Sequence, residues 1–237
     1  IVLGFFKKIA IADNIGLISD FLFSKPDQLN FITASILMFS FSFQIYFDFS
    51  AYSQIARGVA KLFGIDLMIN FNLPYLSRNI SEFWRKWHIS LSNWFRDYVY
   101  IPLGGNRSGS LVQFRNLIIV FFLCGLWHGA NWLFIIWGFF HGFLYLIYYS
   151  YSFFIKKIGL QLTSNFIYKY TSVLITFIAV SIGWLIFRSP DIETLSQILV
   201  SFLNITKNIS VLSDFFIVNG RNNYLFFYIL FIILLYF

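Results

Sequence analysis

Apolar residues in this chain come in long runs rather than in alternation. Phe31 to Phe47 is one such run and reaches a polar cluster at Gln44, Asp48 and Ser50. Asn116 to Leu126 is a second, and Trp132 to Phe154 a third, closed by Lys156-Lys157. Tyr168 to Phe187 is a fourth, ended by Arg188-Ser189-Pro190, and Tyr224 opens another. A helix needs about 20 mostly apolar residues to cross a bilayer. No period-2 pattern of the barrel type recurs, and lipid forces the backbone to satisfy itself. The pattern therefore predicts an all-α, polytopic integral membrane protein.

Weaker periodic segments lie between these spans. Phe5 to Phe23 is interrupted by Lys7-Lys8, Asp13-Asn14 and Asp20, which suits an interfacial or partly inserted helix. Tyr52 to Phe63 carries Arg57 and Lys61 at helical spacing, an amphipathic continuation of the first span. Gly64 to Ser81 is the longest stretch without a span. It ends in Asn79-Ile80-Ser81-Glu82, where Asn79 caps a helix and Glu82 reaches back. The predicted helix runs from Ser81 to Tyr98, with Trp84, His88, Leu91 and Phe95 on one face and Arg85, Ser92 and Arg96 beside them. Pro102 to Asn106 closes it with a turn. Asp191 to Asn204 reads as a short amphipathic helix capped by Asp191.

Composition supports the membrane reading. Of 237 residues, 59% are hydrophobic and 11% charged, where a soluble domain carries roughly 25% charged residues. The net charge of +7 is uneven. Between Arg57 and Arg115 stand eight basic and three acidic residues, so this stretch holds +5 of the total. Basic residues interleaved with spans mark a cytoplasmic face beside anionic membrane lipid, or a surface that attracts an anionic donor such as a coenzyme or carrier protein, rather than nucleic acid. The single cysteine excludes an intrachain disulfide. The chain begins at Ile1 without a charged leader and stops inside an apolar run. It reads as one membrane-embedded domain, residues 1–237, a fragment lacking N-terminal helices and the end of its last span.

There are three histidines, and a titratable ring at membrane depth is a functional candidate by default. His128 lies in Leu126-Trp127-His128-Gly129-Ala130-Asn131-Trp132, between two apolar runs. Gly129 predicts a helix interruption, and broken helices at this depth line cavities. An imidazole there, beside hydrogen-bonding partners, suits a general base. It equally suits a tie between two helices. His88 sits among aromatics that either stack on a ligand or bury the helix, and His141 reads as a packing histidine. Cys124, four residues before His128, would share a helix face with it, but an isolated cysteine in an apolar helix usually acts as a small hydrophobe. No Gly-x-Ser-x-Gly elbow, phosphate loop or His-Glu-x-x-His motif is present, and three scattered histidines without paired carboxylates make no metal site.

Two segments carry a specific resemblance. Ser81-Glu82-Phe83-Trp84-Arg85-Lys86-Trp87-His88-Ile89-Ser90-Leu91-Ser92-Asn93-Trp94-Phe95-Arg96-Asp97, continuing to Gly105, and the heptad around His128 resemble the membrane-bound O-acyltransferase family. Within it they resemble the alginate O-acetyltransferase branch, as do Phe6 to Asn14 and Asp48 to Ser53. The resemblance implies a ring of transmembrane and interfacial helices around a central tunnel, in a bacterial cytoplasmic (inner) membrane. It implies His128 as the catalytic histidine and His88 as its partner in the tunnel. Asn131 would orient the imidazole or donate to an oxyanion. Trp127, Trp132, Trp87, Asn93, Trp94, Arg96 and Asp97 would line or orient the tunnel, and Arg78, Arg85 and Lys86 would hold the donor. No bound cofactor is implied: acetyl-CoA or an acyl-carrier thioester is the donor substrate, and an exported polysaccharide or an extracytoplasmic acetyltransferase receives the acetyl group. The competing reading is a transporter or proton channel relaying through His128 and His141. Such proteins usually show repeated hydropathy and paired broken helices. A scaffold presenting aromatic helices is a further alternative.

Overall fold

The structure is a computed structural model that describes residues 1–107, 109–159, 166–205, 211, 214 and 215. The described residues form nine α-helices: α1 (Val2–Phe6), α2 (Asp13–Phe23), α3 (Phe31–Leu62), α4 (Ile80–Lys86), α5 (Ile89–Phe95), α6 (Ser110–His128), α7 (Trp132–Lys157), α8 (Phe166–Arg188) and α9 (Ile192–Ser201). Four of them, α3, α6, α7 and α8, are long and apolar enough to cross a membrane. The chain is thus a multi-pass membrane protein. The run opening at Tyr224 lies outside the described residues. The chain divides into two compact units, Ile1–Met68 with Arg188–Phe237, and Ile69–Phe187.

The first unit is built on α3. Asn30 caps it in a closed box: its Oδ1 accepts from Thr33 N–H at 2.9 Å, while its own N–H donates to Thr33 Oγ1 at 2.8 Å. The helix then runs 32 residues without a break, about 48 Å at 1.5 Å per residue. The polar cluster does not interrupt it because its members find partners. Ser19 donates to Gln44, and the Lys8 ammonium bridges Asp13 at 2.9 Å and Asp48 at 2.7 Å. Lys8 lies in the widened, π-helical turn Lys7–Ala12 that joins α1 to α2. Ile15, Leu22 and Leu37 are fully buried where α2 meets α3, and Ala51 where α1 meets α3. As expected, Asp191 caps α9, accepting from Thr194 N–H at 2.7 Å.

The second unit departs from expectation at one place. The predicted helix from Ser81 to Tyr98 is two helices, α4 and α5, separated at Trp87 and His88. His88 takes φ +42° and ψ +57°, a left-handed conformation rare outside glycine. The preceding loop holds both sides of the break. Asn72 N–H donates to Lys86 O, Ile89 N–H to Asn70 O, and Ser90 N–H to Asn70 Oδ1, each at 3.0 Å. Trp84, His88, Leu91 and Phe95 therefore do not form one continuous helical stripe. Asn79 does cap α4 through Glu82 N–H at 2.8 Å, but Glu82 reaches back to the N–H of Arg78 rather than to that of Asn79. Past α5 the helix widens into a π-turn over Arg96–Tyr100.

Helices α6 and α7 form an antiparallel hairpin turned over Gly129–Asn131. Gly125 lies against the Phe134 carbonyl, Gly138 against the Phe121 carbonyl and Gly142 against Ile118, so three glycines set one register. A Cβ at Gly125 or Gly138 would fall 2.3 Å from those oxygens. Small residues let membrane helices approach this closely. Behind the hairpin, Trp137, Trp184, Tyr75 and Phe83 are almost wholly buried in an aromatic core contributed by α4, α7, α8 and the loop before α4.

Candidate active site

His128 is the last residue of α6, and the chain leaves the helix there because Gly129 adopts φ +157°, ψ +167°. This region of backbone space is essentially reserved for glycine. A Cβ at Gly129 would also meet the Phe134 ring at 2.9 Å. Asn131 then restarts the chain as the cap of α7, its Oδ1 accepting from Leu133 N–H at 2.9 Å. The half-buried imidazole of His128 is held among rings. Their centroids lie 4.9 Å away for Trp127, 5.2 Å for Trp137, 5.0 Å for Phe187 and 6.0 Å for Phe134. Trp137 and Phe187 stand edge-on to it, at 89° and 87°.

His88, at the break between α4 and α5, approaches the same place from another element. Its ring is 6.3 Å from that of Trp127, so the two histidines flank one indole. Burial, and then repulsion from His128, pushes His88 down to about 4. At neutral pH His88 is an uncharged imidazole with one donor and one acceptor nitrogen.

The other expected residues separate into four groups. Trp87 turns inward, its ring 4.7 Å from that of Trp184. Trp94, Asp97, Asn131 and Trp132 are exposed. Asn93, Arg85 and Arg96 line a separate cavity of about 370 Å³ between α4–α5 and the α6–α7 hairpin, with Cys124 at its inner end. Cys124 is buried, and neither His128 nor His88 lines that cavity. Lys86 is paired with Glu82 at 2.7 Å. Burial opposes ionisation of Glu82, but Lys86 and the Arg78 N–H hold its carboxyl below the usual range. His141 is fully buried against Trp84, Trp137 and Gly183, and neither ring nitrogen has a hydrogen-bond partner among the described residues.

Three neighbours of His128 were not singled out from the sequence: Phe134, Trp137 and Phe187. Two of them follow once the hairpin register is known, but that register is set by glycine contacts between helices. Asn70, which holds the backbone just after His88, gave only the signal of a polar residue in a loop.

A helical, multi-pass membrane protein with two histidines flanking one indole at breaks in their helices is the class that fold and site define. The profile of the membrane-bound O-acyltransferase family matches residues 1–189, and the chain belongs to that family. It is 45% identical over 197 residues to the peptidoglycan O-acetyltransferase of Helicobacter pylori, covering 83% of this chain and 36% of that protein. It is 43% identical over 190 residues to the probable alginate O-acetylase AlgI of Pseudomonas syringae pv. tomato, covering 80% of this chain and 35% of that one. With the teichoic acid D-alanyltransferase of Streptococcus thermophilus it shares 34% identity over 158 residues, 60% of this chain and 37% of the relative. The chain spans about a third of the length of these relatives.

Proposed function

We propose that this chain carries the transfer centre of an enzyme that O-acetylates an exported polysaccharide of the bacterial cell envelope. The observation that carries the reading is the convergence of His128 and His88 on Trp127 at two helix breaks. Higher identity to the two relatives named for O-acetylation than to the one named for D-alanyl transfer supports acetyl as the group moved. Alginate and peptidoglycan, the polymers in those relatives' names, are the acceptor types to test first.

In this reading His128 is the general base. Its imidazole takes the proton of an acceptor hydroxyl as that oxygen attacks the thioester carbonyl. The tetrahedral intermediate then collapses, the C–S bond breaks, and the imidazolium returns the proton to the departing thiolate. The oxyanion needs donors at about 2.7–3.1 Å, and the N–H of uncharged His88 and the Asn131 amide are the groups proposed to supply them. The rings of Phe134, Trp137 and Phe187 hold the base in place and exclude water. The donor is an acetyl thioester of coenzyme A or of a carrier protein. It enters from the cytoplasmic face of the inner membrane past Arg78, just before α4, and Arg85 and Lys86 in its last turn. A tunnel ringed by helices would let the acceptor, or an extracytoplasmic acetyltransferase partner, approach from the opposite face. Trp87, Asn93, Trp94, Arg96, Asp97 and Trp132 shape this path in the reading, directly or by fixing α5 and the start of α7.

The relay reading through His128 and His141 is not favoured, because apolar and indole rings enclose His141. The deciding experiment is His128→Ala in the full-length protein. Polymer acetylation should be abolished while membrane insertion is retained. Turnover at the wild-type rate would remove His128 from the chemistry.

A further inference from the structure

The cavity beside α6 shares Arg85, Asn93 and Arg96 with the path proposed above but is lined by neither histidine, and it is built like a ligand site in its own right. Its volume, about 370 Å³, lies within the roughly 300–1,000 Å³ usual for small-molecule pockets. It runs along one face of α6 from Gln113 to Cys124, eleven residues or about 16 Å of helix. The antiparallel register places Tyr149 of α7 beside the outer end, so this end lies near the first turn of α6 and within two turns of Lys156-Lys157. That is the basic, interfacial end of the hairpin, where anionic headgroups gather.

The lining changes character along this axis. At the outer end stand Arg85 and Arg96. Arg96 is paired with Asp97 at 2.7 Å, whereas Arg85 reaches only the backbone oxygen of Ser81 at 3.2 Å and its hydroxyl at 3.4 Å. Among the described residues Arg85 has no carboxylate partner. A guanidinium facing neutral oxygens retains its preference for a phosphate, which it binds through two N–H groups at once. At the inner end the walls are Trp84, Leu117, Val120, Phe121 and Cys124, apolar surface at membrane depth. Trp84 and Phe121 close this end, and His141 and Trp137 stand between them and His128. An occupant therefore does not deliver a carbonyl to His128.

We propose that this cavity binds an anionic membrane phospholipid, with its phosphate on Arg85 and the start of an acyl chain along α6. The lipid braces α5, which begins just after His88, against α6, which ends at His128. It makes the geometry of the histidine pair depend on anionic lipid. This inference does not require the chain to acetylate anything.

Cys124 is the sole cysteine of this chain and lines the inner end, so its alkylation reports occupancy. The experiment measures the rate of N-ethylmaleimide labelling of Cys124 in detergent, with added phosphatidylglycerol or phosphatidylcholine. Mixed micelles holding phosphatidylglycerol at about ten times its Kd should slow labelling about tenfold, with phosphatidylcholine far less effective. Arg85→Gln should abolish the difference and Arg85→Lys should keep part of it. In parallel, native mass spectrometry should find phosphatidylglycerol retained by the wild type and lost from Arg85→Gln. This arm decides the question if the thiol proves unreactive. Equal labelling in both lipids with no retained phosphatidylglycerol would overturn the proposal. So would protection by acetyl-CoA without lipid, which would make the cavity a donor site.

Discussion

Gly138 stands where α7 crosses α6, and replacing it with alanine sets a methyl group against the Phe121 carbonyl. The added Cβ would lie 2.3 Å from the oxygen and 3.1 Å from the carbon, whereas ordinary contact begins near 3.4 Å. Both obstructing atoms are main chain, so no side-chain rotation relieves the clash and the helices must part by about 1 Å. Alanine gains about 1 kcal/mol of helix propensity over glycine. Overpacking costs about 1–3 kcal/mol, so the net loss of stability is small, about 0–2 kcal/mol. Activity is the sensitive readout. Trp137, the residue before Gly138, holds His128 edge-on at 5.2 Å, and a shift of about 1 Å at a reacting group can cost about 100-fold in rate. That corresponds to about 2.7 kcal/mol of barrier. Acetyl transfer by purified full-length Gly138→Ala should fall about 100-fold, while its Tm drops only a few degrees. Gly142→Ala is the matched control. Its Cβ meets the tip of Ile118, Cδ1, at 2.7 Å, and a side-chain tip can move aside. It should retain most activity. Wild-type rates in Gly138→Ala would refute the claim that hairpin register positions His128.

Further outcomes follow from local chemistry. An unfolded histidine titrates near 6.5 and His88 in the fold near 4, so the unfolded chain takes up a proton between these values that the folded protein refuses. Stability should fall as pH drops from 6.5 towards 4 and level off below. His88→Asn should flatten that slope in thermal unfolding at pH 7, 5.5 and 4.5. Asn79→Ala removes the α4 cap and should cost about 1 kcal/mol, read as a fall in Tm of about 2–4 °C. Hydrogen bonds to Asp48 and then Asp13 raise Lys8 above its ordinary value, so its ammonium stays charged throughout the neutral range. Lys8→Met leaves two carboxylates facing each other without a cation. It should destabilise at low ionic strength, and the deficit should shrink in about 1 M salt, which screens repulsion between exposed charges. An unchanged deficit at high salt would mean that lost packing, not charge, is responsible.

Much of the architecture was legible in the chain. Long apolar runs predicted the spans, because hydrocarbon accepts little else, and α3, α6, α7 and α8 stand where the runs are. Caps at Asn79 and Asp191 were readable because capping is a local exchange between a side chain and N–H groups two or three residues away. Gly129 was readable as a break for the same reason. His128 and His88 could be singled out as rare titratable groups among apolar and aromatic neighbours.

Tertiary structure decided what no local pattern encodes. The helical stripe through Trp84, His88, Leu91 and Phe95 looked continuous, yet Asn70 and Asn72 take the hydrogen bonds that would have continued it. They leave His88 in a left-handed turn. Arg85 and Arg96 read as one polar face with Ser92, but Asp97 pairs with Arg96 and leaves Arg85 at a cavity. Trp137 and Phe187 reach His128 only because glycines on α6 and α7 bring two backbones into contact. By itself the sequence determined which segments enter lipid and which residues could carry chemistry, since both follow from the cost of polar groups in hydrocarbon. The tertiary structure determined which of those residues meet, because that depends on close packing between helices far apart in the chain.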